Sequence, residues 1–257
     1  MSLGDKHIIQ GNDILFALGF LSRLPVQVNT EAAQARGAAA AWAYPVAGAV
    51  IGFIAVLAGA LAGLLALPEY AVSAVILATL IMLSGALHED GLADAFDGLW
   101  GAYDAENRLL IMKDSRVGTY GVLALGLTLI TKFALIHALV SSGAALSIVG
   151  VAALSRAPMV MIMSAIPNAR RDGISRNVGR PQTETALLAI IAGISISFLF
   201  SGPLAMLHGV VLITCASAVL AYVAQQKIGG QTGDILGASQ QISEVILLAT
   251  CVTAFAV

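Results

Sequence analysis

Charged residues are scarce in this chain. Of its 257 residues only 11% are charged and 58% are hydrophobic, and the mean hydropathy is +0.90. A soluble globular domain has about 25% charged residues, so this chain carries too little charge to cover a surface that faces water. The scarcity excludes an ordinary soluble domain and predicts a protein that crosses a membrane several times. The net charge of −2 gives no reason to expect a nucleic-acid partner.

Cysteine is scarce as well. The two cysteines, Cys215 and Cys251, both fall in apolar stretches, which excludes a disulfide framework and a zinc-binding cysteine cluster. The first residues, MSLGDKHIIQGND, lack the basic and then apolar tract of a cleaved signal peptide. The chemistry of this chain therefore has to come from other residue types.

Long apolar stretches are what the sequence has instead. Seven of them are long enough, or nearly so, to cross about 30 Å of hydrocarbon as helices. They are rich in glycine and alanine, which let helix backbones approach closely. We therefore predict an all-α, polytopic integral membrane helix bundle that forms a single catalytic domain over residues 1–257. The predicted spans lie near 40–66, 70–88, 118–140, 144–167, 184–201, 203–224 and 242–257.

An eighth apolar stretch, DILFALGFLSRLPV at 13–26, is too short to cross comfortably. We predict an interfacial or re-entrant helix that ends at Pro25, because proline cannot continue a helix. A buried packing helix is the alternative.

Basic residues are confined almost entirely to the long polar connections. With seven spans these connections lie on one side of the membrane and three short links lie on the other, and the short links contain no Lys or Arg. The positive-inside rule then predicts that the N-terminus and the long connections are cytoplasmic. The long connections are 1–39, 89–117, 168–183 and 225–241, and the short links are 67–69, 141–143 and 201–203.

Four carboxylates cluster in HEDGLADAFDG, residues 88–98. On a helix that continues past His88, Asp94 lies about 40° from Asp90 and Asp97 about 20° from it on the other side, whereas Glu89 lies roughly 100° away. Like charges on one face repel one another unless a cation lies between them. Oxygen ligands favour a hard cation, so the cluster predicts a Mg²⁺ or Mn²⁺ site. A solvated acidic helix end is the alternative.

The polar segments supply groups suited to phosphate. In MKDSRVGTYG, Lys113, Ser115 and Arg116 are donors for phosphate oxygens, and Asp114 is a further metal ligand or a group that positions a hydroxyl. In KIGGQTGDILGASQQISE, residues 227–244, the glycines are predicted to bring backbone N–H groups near a phosphate or nucleotide, with Asp234 as a further acid; a tight turn between helices is the alternative. The third segment holds four arginines, which contact either anionic lipid or substrate phosphate: Arg170, Arg171, Arg176 and Arg180.

Two basic residues and two histidines lie inside predicted spans. Arg156 is costly there unless it faces a partner, so we predict that it faces the acidic cluster or a substrate phosphate, with Pro158 bending its helix. Lys132 is predicted to pair within the bundle. The lone histidines, His137 and His208, are predicted to form hydrogen bonds between packed helices rather than to bind metal.

A metal on carboxylates beside Lys and Arg at a membrane face indicates phosphoryl or pyrophosphate chemistry. No Ser-His-Asp arrangement and no activated cysteine is found in the sequence, so attack by a substrate hydroxyl is simpler than a covalent enzyme intermediate. One carboxylate, Asp97 or Asp114, would take the proton of that hydroxyl.

Five segments together resemble the cobalamin synthase family, the adenosylcobinamide-GDP ribazoletransferases of bacterial membranes. They are FLSRLPV, HEDGLADAFDGLWG, MKDSRVGTYG, LSRAP and GGQTGDILGASQQISE, in order from Phe20 to Glu244. The resemblance implies a Mg²⁺-dependent transfer that joins adenosylcobinamide-GDP to α-ribazole, or to its 5′-phosphate, and releases GMP in the last step of nucleotide-loop assembly. It also implies the bacterial cytoplasmic (inner) membrane as the location.

Carried over residue by residue, the resemblance implies three groups of site residues. The metal and pyrophosphate site comprises Glu89, Asp90, Asp94 and Asp97, of which Asp94 and Asp97, together with Asp114, are the catalytic candidates. The phosphate and substrate contacts are Lys113, Ser115, Arg116, Gln231, Thr232 and Asp234, with Arg23 and Arg156 as weaker assignments.

The residues alone are also compatible with two other functions. A CDP-alcohol phosphotransferase releases CMP instead of GMP, but its signature has arginine where DGLAD places Asp94. A transporter is the second, although transporters place polar groups near the membrane midplane and this chain concentrates them in loops. The partners that we expect are the two substrates and the lipid bilayer, with a homo-oligomer or other enzymes of nucleotide-loop assembly as further possibilities.

Overall fold

The computed structural model describes residues 8–255. No β-strand is found among these residues, which form helices joined by turns and a single isolated β-bridge between Asn168 and Gln231. The all-α prediction is confirmed. A 3₁₀ helix, Gly37–Ala43, separates the second and third α-helices. The α-helices are α1 (Asp13–Leu21), α2 (Thr30–Arg36), α3 (Tyr44–Leu64), α4 (Glu69–Ser84), α5 (Leu87–Gly101), α6 (Ala105–Ile111), α7 (Thr119–Ser141), α8 (Ser147–Leu154), α9 (Ala157–Ala165), α10 (Ile174–Val178), α11 (Thr183–Ile228) and α12 (Gly233–Phe255).

Five helical segments are long and apolar enough to cross a membrane, and a sixth is added if the bent pair α4–α5 counts as one span. Each of the seven predicted spans falls on one of these six segments. Helix α11 contains two of the predicted spans, and each other segment contains one. The polytopic membrane class predicted from composition is therefore confirmed. The five segments are Thr30–Leu64, Thr119–Ser141, Ser147–Ala165, Thr183–Ile228 and Gly233–Phe255.

The 46-residue α11 is two helices joined at Gly202, whose backbone is not helical (φ 78°, ψ 167°) and which precedes Pro203. Ile194 before this break and Val210 after it line the same small cavity. Residues placed symmetrically about Gly202 are thus neighbours, so the chain reverses direction there. The predicted short link at 201–203 is found where the two halves meet.

Helix α4 ends at Ser84, four residues before the predicted end of the second span. Gly85 and Ala86 both adopt left-handed backbone angles (φ 64° and 56°), and α5 leaves at 82° to α4. The prediction that the span runs to 88 was therefore wrong, because two left-handed residues in succession cannot continue a right-handed helix. The acidic residues lie instead on a helix of their own, α5, which is continuous and keeps Asp90, Asp94 and Asp97 on one face.

The fourth predicted span is also divided, into α8 and α9, with Ser155 and Arg156 between them. Pro158 lies in the first turn of α9, where the N–H that proline lacks would have had no helical partner. The bend predicted at Pro158 is found as this break. It leaves the Arg156 side chain buried, and its Nη1 donates a hydrogen bond of 2.6 Å to the carbonyl of Ala152.

Glycine allows the close helix contact that the small-residue composition predicted. Helix α3 packs on α8 through Gly48 and Gly52. A Cβ atom at Gly52 would lie 2.8 Å from the Cβ of Ala152, and one at Gly48 would overlap the carbonyl oxygen of Ala152. Any larger residue at either position would push the two helices apart.

The fourth polar connection, predicted at 225–241, is mostly helix. Helix α11 continues to Ile228 and α12 begins at Gly233, so only four residues connect them. The prediction was wrong because polarity was taken as a sign of exposure. The polar residues in the first half of α12 are instead buried inside the bundle: Ser239, Gln240, Gln241, Ser243 and Glu244.

The short helix predicted within 13–26 is α1, but it ends at Leu21 rather than at Pro25. The hydroxyl of Ser22 accepts a hydrogen bond from the N–H of Leu24 and donates one to the carbonyl of Leu18, which ends the helix early. Asp13, fully buried at the start of α1, pairs with Arg36 at 2.8 Å. The first polar segment is thereby held against the bundle.

The long connections and the short links lie at opposite ends of the bundle. Ser141 donates a hydrogen bond to Glu69, and Ser201 donates one to the carbonyl of Ser147, which brings the three short links together. The long connections meet in one cavity at the other end. This arrangement agrees with the predicted odd number of crossings.

Candidate active site

A cavity of about 340 Å³ lies where the long connections meet. Its wall is built from α1, the start of α3, α5, the loop after α6, α9, residues 168–178, and the turn between α11 and α12 with the start of α12. Segments that are far apart in the sequence therefore supply one site. Six charged side chains line it: Asp90, Lys113, Arg170, Asp172, Arg176 and Asp234.

Two glycines allow the helices that carry the acidic side of the cavity to approach each other closely. Helices α5 and α12 meet at Gly91 and Gly237, where a Cβ added to Gly91 would lie 3.1 Å from the Cα of Gly237. This close approach brings Asp90 and Asp234 to the same wall. Asp94 follows one turn after Asp90 and is half-buried.

The carboxylates of this wall repel one another. Asp94 experiences the negative charges of Asp90, Asp234 and Asp97, and Arg170 is the cation that offsets them. The Nη1 of Arg170 lies 3.2 Å from Oδ2 of Asp234. One arginine does not balance Asp90, Asp94 and Asp234, which we call the acidic wall, so this wall carries excess negative charge.

Asp97 has a different environment from Asp90 and Asp94. Its Oδ2 accepts a hydrogen bond of 2.7 Å from the N–H of Gly118, and its Oδ1 accepts one of 2.9 Å from the N–H of Gly121. These are free N–H groups of the first turn of α7, which a carboxylate stabilises. A Cβ at Gly118 would lie 2.6 Å from Oδ1 of Asp97, so glycine is needed there. Asp97 thus caps α7, and it does not line the cavity.

Glu89 points into the bundle, away from the other three acids. Its Oε1 lies 3.6 Å from Nζ of Lys132 and accepts a hydrogen bond of 3.0 Å from Nε2 of Gln241. Lys132 is also 3.4 Å from Glu244. The predicted pairing of Lys132 within the bundle is confirmed, and the structure does not bring Glu89 to the acidic wall.

Arg156 belongs to the same buried group rather than to the cavity. The positive charge of Arg156 is offset by Glu244 and Glu89, and Gln240 links Glu244 to Ser155 through hydrogen bonds of 2.7 and 3.1 Å. The group therefore holds two cations and two carboxylates. We call it the buried network, and it comprises Glu89, Lys132, Ser155, Arg156, Gln240, Gln241 and Glu244.

The loop after α6 brings one of its predicted residues to the cavity. Lys113 lines the wall and donates hydrogen bonds of 2.9 Å to both carboxylate oxygens of Asp172. Arg116 instead pairs with Asp114 at 2.6 Å, and its side chain is 87% exposed. Asp114, Ser115 and Arg116 do not line the cavity.

Asp114 is a poorer proton acceptor than an ordinary aspartate. Hydrogen bonds from the Arg116 side chain and from its backbone N–H lower the pKa of Asp114. A carboxylate whose pKa is lowered accepts a proton less readily. The sequence left Asp97 and Asp114 open as the base, and in this structure both are already engaged by hydrogen bonds.

The glycine-rich turn between α11 and α12 is fastened to the third polar segment by Gln231. Its Nε2 donates to Oδ1 of Asn168 and its Oε1 accepts from Ser175, both at 2.8 Å. The hydroxyl of Thr232 donates to Oδ2 of Asp234 at 3.1 Å and accepts from the N–H of Ile235, so it caps α12. Gln231 and Thr232 thus shape the cavity wall and hold Asp234 in place.

Four cavity residues were missed or left undecided by the sequence. Arg170 and Arg176 were two of four arginines with two alternative roles, and only these two line the cavity. Asp172 had no distinguishing signal. His88 lies in the wall, is 1% exposed, and its Nε2 has no hydrogen-bond partner among the described residues. In the sequence, only its position next to the acidic residues indicated that it belongs to the site.

The remaining predicted residues lie away from the cavity. Arg23 is exposed and packs against Gly85 at the break between α4 and α5. His137 lies 3.4 Å from the hydroxyl of Ser73, as predicted for a histidine between packed helices. His208 is exposed on α11, so the same prediction for His208 was wrong.

The acidic wall offers carboxylates for a magnesium ion that also binds substrate phosphate. It does not form a site in which protein ligands alone surround the ion. Within residues 8–255 no three His, Cys, Asp or Glu side chains are arranged around one point as metal ligands. Mg²⁺ is usually held by one or two carboxylates and completes its shell with water and substrate phosphate. Asp90 and Asp94, with Asp234 across the helix contact, are the acids that fit this mode.

Known proteins resemble this chain over nearly its whole length. The chain matches the family model for cobalamin-5-phosphate synthase over residues 13–252. It is 39% identical to the adenosylcobinamide-GDP ribazoletransferase of Bradyrhizobium diazoefficiens over 237 residues, which cover 92% of this chain and 91% of the relative. It is also 39% identical to the enzyme of the same name from Brucella ovis over 248 residues, which cover 92% and 94% of the two chains.

No solved structure matches this chain. The family model nevertheless covers nearly all the described residues, including every charged residue of the cavity wall. The chain belongs to the cobalamin-5-phosphate synthase family.

Proposed function

We propose that this protein transfers the phosphate that carries adenosylcobinamide from adenosylcobinamide-GDP to α-ribazole or its 5′-phosphate and releases GMP. The names of its relatives support this reaction. The structural observation that carries it is the cavity whose wall holds Asp90 and Asp234 together with Lys113, Arg170 and Arg176. The family membership does not favour a CDP-alcohol phosphotransferase or a transporter.

Different residues of the cavity serve different parts of the proposed reaction. A hydroxyl oxygen of the acceptor forms a bond to the phosphorus that carries cobinamide, and the bond from that phosphorus to the bridging oxygen breaks. The electron pair leaves with GMP, and the proton of the hydroxyl passes to a carboxylate of the acidic wall. Lys113, Arg170 and Arg176, which line the same cavity, offer donors to the phosphate oxygens.

Magnesium dependence is part of the proposal. Asp90, Asp94 and Asp234 would hold the ion, since their mutual repulsion is relieved by a divalent cation. When bound, Mg²⁺ supplies positive charge that stabilises the charge developing on the leaving GMP.

The test is an assay of GMP release by the purified protein in detergent or proteoliposomes. We expect GMP to form only when adenosylcobinamide-GDP, the α-ribazole acceptor and Mg²⁺ are all present. CDP-diacylglycerol with a small alcohol acceptor is the matched control and should release no CMP. Absence of GMP with either acceptor in a folded preparation, or solute flux without phosphoryl transfer, would refute the proposed reaction.

We also propose that the protein lies in the bacterial cytoplasmic (inner) membrane with the cavity facing the cytoplasm. The arginines and lysines of the cavity end support this orientation. In a variant whose two cysteines are replaced, a single cysteine at the exposed Glu106 or Arg171 should label only from the cytoplasmic side. A cysteine at Ser142, in a short link, should label only from the other side. Labelling of Glu106→Cys and Arg171→Cys from opposite sides would contradict the topology.

A further inference from the structure

A second cavity of about 400 Å³ adjoins the charged one. It lies between α1, α2, the 3₁₀ helix and α10, and no charged residue of the described chain lines it. The two cavities share four wall residues, Phe20, Tyr44, Ile174 and Val178. The two cavities therefore meet at these four side chains.

The second cavity is suited to a flat aromatic ring. Phe16, Phe20 and Tyr44 are aromatic side chains in its wall, and Val28 and Val178 add aliphatic surface. The rings of Phe20 and Tyr44 stack with centroids 5.9 Å apart and planes 28° apart. Three uncharged polar side chains complete the wall and offer hydrogen bonds to ring nitrogens or sugar hydroxyls: Thr30, Gln34 and Asn177.

Tyr44 stands at the junction with a hydroxyl that is available to a ligand. The residue is only 4% exposed, and its hydroxyl forms no hydrogen bond within residues 8–255. A buried tyrosine O–H normally has a hydrogen-bond partner. Because Tyr44 lines both cavities, a molecule that spans them would supply that partner.

We propose that the second cavity binds the aromatic base of the acceptor nucleoside, and that the Tyr44 hydroxyl contacts this nucleoside where it enters the charged cavity. The proposal rests on the proposed function, which requires a nucleoside acceptor beside a nucleoside diphosphate donor. The phosphates match the charged cavity, and the uncharged base matches its neighbour. A volume of about 400 Å³ suits a small ligand, whereas the much larger corrin ring requires more open space.

The first test fills the cavity from α2. Ala33 lines it, whereas the adjacent Ala32 is exposed and does not. We expect Ala33→Phe to raise the KM for α-ribazole about tenfold or more, because the new ring occupies the place of the base. The KM for adenosylcobinamide-GDP should change less than about twofold. Ala32→Phe is the matched control and should leave both constants unchanged.

The second test removes one oxygen atom. We expect Tyr44→Phe to raise the KM for α-ribazole about three- to tenfold, which corresponds to the loss of one hydrogen bond. The aromatic wall is retained, so the donor KM should stay near that of the unchanged protein. A rise in the donor KM alone, in either variant, would overturn the proposal.

Direct binding separates this proposal from the proposed function. Equilibrium dialysis of α-ribazole against the protein without donor should give a Kd that Ala33→Phe weakens and Ala32→Phe does not. This measurement remains informative even if no GMP is released, which would count against the reaction alone. Unchanged α-ribazole binding in a folded Ala33→Phe protein, or a co-purifying lipid that only Ala33→Phe displaces, would overturn the proposal.

Discussion

Replacement of Asp90 by asparagine is expected to lower GMP release at least about 100-fold, the size of effect seen when one transition-state electrostatic contact is removed. Asp90 is an exposed carboxylate in the cavity wall, so it is free to contact a metal ion or substrate. Asparagine keeps the shape of the side chain and removes its charge. The protein should therefore insert and fold as before while the acidic wall loses part of its attraction for a cation.

The magnesium requirement gives this prediction a second measurement. The Mg²⁺ concentration that gives half-maximal GMP release should rise in Asp90→Asn and in Asp94→Asn, because each variant removes one negative charge from the wall. Glu106→Gln is the matched control, since Glu106 is an exposed acid on α6 outside the cavity. Equal turnover and equal Mg²⁺ dependence in Asp90→Asn and Glu106→Gln would contradict the metal role of this wall.

Asp97→Asn should behave differently from these two variants. Because Asp97 accepts hydrogen bonds from Gly118 and Gly121, its loss of charge should weaken the cap of α7. A cap is worth about 1 kcal/mol, so the main expected effect is on stability. A change in Mg²⁺ dependence as large as that of Asp90→Asn would instead place Asp97 among the metal ligands.

Replacement of Lys132 by methionine is expected to have the largest effect on stability, with a loss of about 3–5 kcal/mol. Lys132 is fully buried and lies 3.6 Å from Glu89 and 3.4 Å from Glu244. Methionine fills a similar volume but leaves two buried carboxylates with Arg156 as the remaining cation of the buried network. Unfolding in mixed micelles of mild and denaturing detergent would measure the change.

A charge exchange tests whether the network acts through its charge balance. Gln241 lies 3.2 Å from Lys132 and 3.0 Å from Glu89, so Glu89→Gln and Gln241→Glu together move a carboxylate from one neighbour of Lys132 to the other. Each single change alters the net charge of the network and should destabilise the protein. The double variant should recover most of the loss. A double variant less stable than both single variants would show that position, rather than charge balance, matters.

Several features of the fold could be read from the chain alone. The scarcity of charge and the seven apolar stretches predicted an all-α membrane bundle, because hydrocarbon admits only helices or closed barrels with all backbone groups paired. The break at Gly202–Pro203, the bend near Pro158 and the internal pairing of Lys132 also followed from local rules. Each of these depends on the chemistry of a few adjacent residues or on the cost of an unpaired charge in the membrane.

The boundaries that the sequence misplaced depend on partners from elsewhere in the chain. Helix α12 begins in a segment predicted to be a loop, because the polar side chains of Gln240, Gln241 and Glu244 are satisfied by Glu89, Lys132 and Ser155 rather than by water. The left-handed pair at Gly85 and Ala86 likewise ends α4 within an apolar run. Hydropathy does not distinguish a polar residue in water from one in a buried network.

The candidate site illustrates the same division. The sequence by itself determined the membrane class, the acidic and basic segments at one face, and a motif set from which the family could be inferred. Only the tertiary structure decided which of the four clustered acids share a cavity: Asp90 lines it, Asp94 lies one turn behind, Asp97 caps α7, and Glu89 pairs with Lys132 inside the bundle. The reason is that helical spacing sets which residues share a face, whereas the neighbouring helices decide whether that face meets a cavity, an N-terminus or a buried lysine.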